Sequence, residues 1–186
     1  MLKTSIFGRM ARAARDTRGV SAVEFALLAP VMIGLYFGCA EVADGVGADR
    51  KVSLISAALA NLTAQVTTIS SSDMTNIFDA SSAIIAPYAA SKLKLTVTCI
   101  KIDANKVATV KWSAPRGGAA RPIGAYTFDS SSAALAVANS YLILSEASFD
   151  YTPTVGYNIT GMLPLKDKMY MSPRISPPTY GTTTCT

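Results

Sequence analysis

Between Val20 and Ala43 the chain reads VSAVEFALLAPVMIGLYFGCAEVA, a run too apolar and too long to be the surface helix of a small soluble domain. As a helix rising 1.5 Å per residue it would reach about 36 Å, enough to cross a hydrocarbon layer of about 30 Å. The stretch without a charge is shorter, Phe25 to Ala40. Its length is only roughly 24 Å, so a span requires Glu24 and Glu41 to lie near the two interfaces. Pro30 would kink a soluble helix but is tolerated in a membrane helix. Lys3, Arg9, Arg12, Arg15 and Arg18 precede the run, whereas Glu41, Asp44 and Asp49 are the first charges after it. The positive-inside rule then predicts a cytoplasmic N-terminus and a C-terminal body on the other side.

Charge is distributed in the same sense. The formal net charge is +5 over 186 residues. Residues 1–19 hold five basic side chains against Asp16, so they carry +4 of it, and the 12 basic and 11 acidic residues from Val20 onward nearly cancel. The basic balance is thus a property of the leader, and no aromatic-interleaved basic face follows it, so nucleic acid is not an expected partner. The chain has no histidine, which removes imidazole-dependent triads and the commonest metal ligand. Cys39, Cys99 and Cys185 fit no zinc spacing. No G-x-S-x-G occurs; a Ser–Lys dyad stays open on sequence alone. No enzyme activity, metal or cofactor is expected.

Five segments follow. Residues 1–19 are a basic cytoplasmic leader, read as a disordered or weakly helical tail, and residues 20–43 a transmembrane helix. Residues 44–90 form a helical stem and a second helix. In the stem, Val52, Ile55, Leu59, Leu62 and Val66 recur at spacings of 3, 4, 3 and 4, an apolar stripe on one face. Gly45 and Gly47 are expected to loosen the helix before it. Ser70-Ser71-Ser72-Asp73 supplies cap residues for a helix over about 73–89 that buries Met74, Ile77, Phe78, Ile84 and Ile85. Residues 91–171 are an antiparallel β-rich domain. Lys92–Ile102 alternates with Leu93, Leu95, Val97 and Cys99 on one face, Asp103–Lys106 is turn chemistry, and Val107–Ser113 returns as a second strand. Ala114–Gly124 reads as a loop, 130–135 as a short helix, Ser140–Tyr151 as a third strand and Leu165–Met171 as a last one. Residues 172–186, rich in Pro, Ser and Thr, read as a loose tail unless something ties it down. The fold class is α+β, a long N-terminal helix packing on a small antiparallel sheet.

The order basic tail, Gly19, Val20, four residues on from the Gly–Val junction Glu24, then Phe25 and an apolar helix resembles the type IV prepilins. Within them, RGVSAVEFALLAPV is similar to the TadE/TadG-like pseudopilins of tight-adherence pilus systems. Ala147-Ser148-Phe149-Asp150-Tyr151-Thr152-Pro153 and Met171-Ser172-Pro173-Arg174 resemble later motifs of that family. The resemblance implies a pilin-like α+β protein and cleavage by a prepilin peptidase between Gly19 and Val20. It also implies that Glu24 neutralises the new α-amino group in a subunit assembly. The partners it implies are other pilin and pseudopilin subunits, the inner-membrane assembly platform and membrane lipid. Longer relatives carry a DxSxS metal motif; Asp79-Ala80-Ser81-Ser82-Ala83 and Asp129-Ser130-Ser131-Ser132-Ala133 both lack its last serine, so no metal site is expected.

If the body lies outside the cytoplasm, Cys99 and Cys185 can form a disulfide. Closing a loop of about 86 residues would stabilise by roughly 4–5 kcal/mol in the chain-entropy account, and would pin the tail to a strand. The alternative is a buried thiol and a free tail thiol. Cys39 reads as a small apolar residue of the span. Function is therefore expected to be structural: a minor pilin of a bacterial inner-membrane pilus system, held by one span. Two alternatives are an uncleaved single-span envelope scaffold and a secreted protein cut near Gly38-Cys39-Ala40.

Overall fold

The computed structural model describes residues 19–154 and 161–186; the basic leader read above as a loose tail lies outside these, apart from Gly19. The chain divides into two compact units, Met1–Val42 and Ala43–Thr186.

Helix α1 runs Val20–Ala64, with Pro30 inside it. In the first unit it contributes only an apolar surface: Phe25, Leu27, Leu28, Met32, Leu35 and Tyr36 are all exposed. From Ala48 the same helix becomes amphipathic. Ala48, Val52, Ile55, Ser56, Leu59, Ala60, Thr63 and Ala64 are buried. Ala48, Val52, Ser56, Ala60 and Ala64 recur every fourth residue, so small side chains alternate along a ridge with the bulk of Ile55 and Leu59 beside it. The expected stripe holds at Val52, Ile55 and Leu59, but Leu62 and Val66 are only half-buried. Near its end the helix turns Thr63 and Ala64 inward instead. The helix does not break at Gly45 and Gly47. A Cβ on Gly45 would lie 3.7 Å from the Tyr151 ring, and one on Gly47 would lie 3.9 Å from the Tyr88 hydroxyl. The glycines therefore sit where aromatic side chains of the second unit lie against the helix.

After β1 (Thr68–Ile69) comes α2 (Ser71–Ser82), opened by a reciprocal capping box between Ser70 and Asp73. The second helix is shorter than the 73–89 expected. It passes into a 3-10 turn at Ala83–Ile85 and the chain then extends into Pro87, because the residue before a proline is driven out of the α region. Met74, Phe78 and Ile85 are buried in the core, with Ile77, Ile84 and Tyr88 partly so.

Strands β2 (Leu93–Ile102), β3 (Ala108–Arg116), β4 (Gly124–Tyr126), β5 (Ser140–Tyr151) and β6 (Leu163–Met171) form an antiparallel sheet in the order β4-β3-β2-β5-β6. Its inner face belongs to the main core: Leu93, Leu95, Val97, Cys99, Trp112, Ala114, Ile143, Ala147, Phe149 and Tyr151 pack with the buried helix residues. Ser145 donates to the Ser56 carbonyl, and Ser56 donates to Asp167 at 2.6 Å, so α1 is joined to β5 and β6 by hydrogen bonds as well as by apolar contact. The outer face carries a smaller cluster, Ile100, Ile102, Ala108, Leu142 and Leu144, covered by Tyr126, Phe128 and Tyr170.

A bulge makes both clusters out of one alternating pattern. Ala108 pairs with Ile102 and Val110 with Ile100, but Trp112 pairs with Cys99, leaving Lys111 without an opposite residue. One extra residue reverses which face a strand's side chains take. The even-numbered side chains of β3 thus serve the outer face at Ala108 and the inner face at Trp112 and Ala114. β3 itself runs on to Arg116, into what reads as a loop, and β4, starting at that loop's last residue, pairs with the first half of β3.

The C-terminal segment is not loose. β7 (Thr179–Tyr180) pairs in parallel with β1, Trp112 Nε1 donates to the Pro178 carbonyl at 2.9 Å, and Cys185 is joined to Cys99 by a disulfide with Cα atoms 6.0 Å apart.

Candidate functional site

The residues singled out in the sequence fall at two places. Gly19 and Val20 stand at the start of α1, and Glu24 is one turn in. All three are exposed. A Cβ built on Gly19 meets nothing within 4 Å among the described residues, so their packing does not call for glycine there. Glu24 leads directly into Phe25, Leu27 and Leu28, which are 59–71% exposed. A carboxylate followed by a fully exposed apolar helix is unfavourable in water on the apolar side and in lipid on the charged side. The arrangement is suited to a carboxylate at a membrane boundary, or to one met by a cation from another chain. The helix passes the length and hydropathy test for a membrane span, with none of the apolar window buried by the protein. Cys39 is an exposed free thiol within it.

Cys99 and Cys185 lie in the second unit, both fully buried. The disulfide sits at the inner face of β2 among Trp112, Ile143 and Tyr180 of the core.

A third place gave no local signal in the sequence. On the outer face of the sheet an open cavity of about 770 Å³ is lined by Lys94, Thr96, Arg121, Glu146, Lys166 and Lys168, among others. Part of its wall is Gly118 and Ala119, just after Gly117. Gly117 has φ +69°, and a Cβ there would lie 3.0 Å from the Leu93 carbonyl, so glycine is required on both counts. Arg121 grips Glu146 through Nε and Nη2, 2.6 Å each. That bidentate bond holds the guanidinium's proton more tightly than usual. The Tyr126 and Tyr170 hydroxyls are 2.6 Å apart. Burial first, then that hydrogen bond, pushes the Tyr126 phenol well above its ordinary value. Lys94 pairs with Asp150, and Lys168 with Asp129. Lys168 and then Ser132 lower the Asp129 carboxyl to about 2. Lys94, Arg121 and Lys168 are engaged with the chain's own carboxylates, and the Arg121–Glu146 and Lys168–Asp129 pairs hold β5 and β6 to the 117–129 connection. Asp79, from one of the two partial metal motifs, is paired with Arg116. Among the described residues no group of three or more His, Cys, Asp or Glu could hold a metal ion. The lysine hydrogen bonds described run to carboxylates, backbone carbonyls and Thr152.

Comparison with known protein families bears on the first place. Residues 19–53 match the family model described as TadE-like protein. The N-terminal segment of this chain is TadE-like. The match begins at Gly19, takes in Val20, Glu24 and the whole exposed apolar helix, and ends at Ser53, where the helix is already packed in the second unit. It bears out, over that segment, the resemblance seen in RGVSAVEFALLAPV, a likeness to a structural, pilus-associated family. No curated protein and no solved structure matches the chain significantly.

Proposed function

We propose that the chain is a minor pilin or pseudopilin of a tight-adherence pilus system. It is inserted in the bacterial inner membrane by α1, with the leader in the cytoplasm and the second unit outside, and is cleaved between Gly19 and Val20. The observation that carries this reading is the coincidence of three things at one helix start. The TadE-like match begins at Gly19. Packing among the described residues gives that glycine no steric reason. And a carboxylate stands four residues into an apolar helix left uncovered by the rest of the protein. Cleavage would place a new α-amino group at Val20. Apolar helices of neighbouring subunits would then pack side by side, and Glu24 of one could pair with the Val20 amine of the next, a buried charge compensated across an interface. The partners on this reading are other pilin subunits, a prepilin peptidase, the assembly platform and lipid.

Intact mass of the protein recovered from cells tests it. A chain beginning at Val20 supports the pilin. One beginning at Met1 supports an uncleaved single-span scaffold, and one beginning at Glu41 a secreted protein. Two variants sharpen the outcome. Because Gly19 is sterically free and Glu24 exposed, Gly19→Ala and Glu24→Ala leave the second unit's fold alone. Gly19→Ala should block processing, and Glu24→Ala should abolish surface assembly of processed subunits. Unchanged processing in the first and unchanged assembly in the second would sink the proposal.

A further inference from the structure

Residues 172–186 form a strap on the second unit, running from the end of β6 to the inner face of β2. The Arg174 backbone N–H donates to the Ala64 carbonyl at 2.9 Å, and its guanidinium to Asn61 Oδ1 at 2.7 Å. α1 has no basic residue in its last turn. Arg174 therefore supplies from elsewhere in the chain both a donor to a terminal carbonyl and a positive charge at the negative end of the helix. Thr179 N–H donates to the Thr67 carbonyl and Gly181 N–H to that of Ile69, each at 3.0 Å. The Pro178 carbonyl accepts from the indole N–H of Trp112, and the Tyr180 ring lies tilted against the same indole, centroids 5.5 Å apart. Cys185 ends the strap in its disulfide with Cys99.

Little else holds it. Pro178 and Cys185 are its buried residues, whereas Ile175 is 74% exposed and Gly181–Thr184 face solvent. Hydrogen bonds exchanged with water contribute little each, and ordering the backbone of each residue opposes them. The bond to Cys99 is what tips the balance, because it keeps the far end of the strap beside its docking site. We propose that the strap is a redox-gated latch: with Cys99 and Cys185 reduced it is undocked while the sheet stands, and oxidation closes it over Trp112 and the end of α1.

The closing step needs an external disulfide, either a protein dithiol oxidant or a small-molecule disulfide. Cys185, carried on the strap beyond the exposed residues 181–184, is the thiol that moves outward with it, whereas Cys99 is fixed in β2. Its thiolate attacks one oxidant sulfur, giving a mixed disulfide and releasing one oxidant thiolate. The Cys99 thiolate then attacks the Cys185 sulfur and expels the second. The protein loses two protons and two electrons, and the oxidant ends as two thiols. The latch goes beyond the pilin reading and holds whether or not Gly19 is processed.

The molecule carries its own reporter. Trp112 is the single tryptophan, is 2% exposed and lies directly beneath the strap. The full chain in detergent micelles, with Cys39→Ala to remove the exposed thiol, is treated with dithiothreitol; the Cys185→Ser form is measured beside it. Expected in both are Trp emission at longer wavelength, stronger quenching by acrylamide and a new tryptic cut after Arg174, with the far-ultraviolet β signal retained. Oxidised glutathione should reverse the change in the first protein and not in the second. Unchanged emission and continued protection of Arg174 on reduction would show the strap docked without its bond, and would overturn the latch. Loss of the β signal together with strap release would overturn it too, making the disulfide a staple of the whole domain.

Discussion

Leu59 shows how much one side chain carries in this domain. It is fully buried on the face of α1 that meets the sheet. Leu59→Ala removes its packing and leaves a cavity that a rigid helix–sheet contact cannot collapse; the expected loss is about 2–5 kcal/mol, read from urea unfolding. Ser56 is different in kind. It donates to Asp167 and its carbonyl accepts from Ser145, so Ser56→Ala costs little volume but leaves a carboxylate without its donor. Asp129 gives a pH signature free of such packing effects. Its carboxyl is lowered to about 2, chiefly by Lys168. A folded-state value below the unfolded one means the pairing stabilises above the unfolded carboxyl's range, near 4, and is lost as pH falls toward 2. In Lys168→Ala the Asp129 resonance should titrate closer to 4 in an NMR series. An unchanged midpoint would contradict the assignment of Lys168 as the main cause.

At the scale of elements, α2 rests on its start. Ser70 accepts from the Asp73 N–H and Asp73 accepts from the Ser70 N–H, closing two of the four donors a helix leaves open. Ser70→Ala should cost about 1 kcal/mol, with hydrogen exchange quickening first at residues 71–74. That cap was legible because it is local: four adjacent residues carry it. The same holds for β2, β3 and β5, whose β-branched alternation places them, and for the Gly19–Glu24 pattern. What escaped depends on residues far apart in the chain. β1 and β7 are two residues each, without any pattern of their own, and exist because the disulfide and Trp112 bring the strap beside the end of α1. β4 lies in a Gly- and Pro-rich connection and is a strand only because β3 offers it an edge. The alternation of Ala108, Val110, Trp112 and Ala114 reads as one buried face, and only the bulge at Lys111 divides it between two. The Arg121–Glu146 and Tyr126–Tyr170 pairs join residues 25 and 44 positions apart, a separation over which no periodicity speaks.

At the scale of the whole molecule, the two units make opposite demands on their surroundings. In Met1–Val42 the described large apolar side chains are exposed, and the first buried residue of α1 is Ala48. Both hydrophobic clusters, the disulfide and the described ion pairs belong to Ala43–Thr186. Deleting residues 1–42 therefore removes none of the described buried core, but removes a surface that water solvates poorly. The shortened chain should be monomeric in buffer without detergent. It should keep the Cys99–Cys185 bond and unfold in one cooperative transition, as a domain with its own core does. The full chain should need detergent or lipid to stay dispersed. Sedimentation with thiol titration and urea unfolding of the shortened chain checks this. Aggregation or a free Cys99 would mean that the apolar helix supports the domain's folding as well as its anchoring. A clean monomer would show that the domain folds without the first 42 residues and leave them to the anchoring and assembly role proposed above.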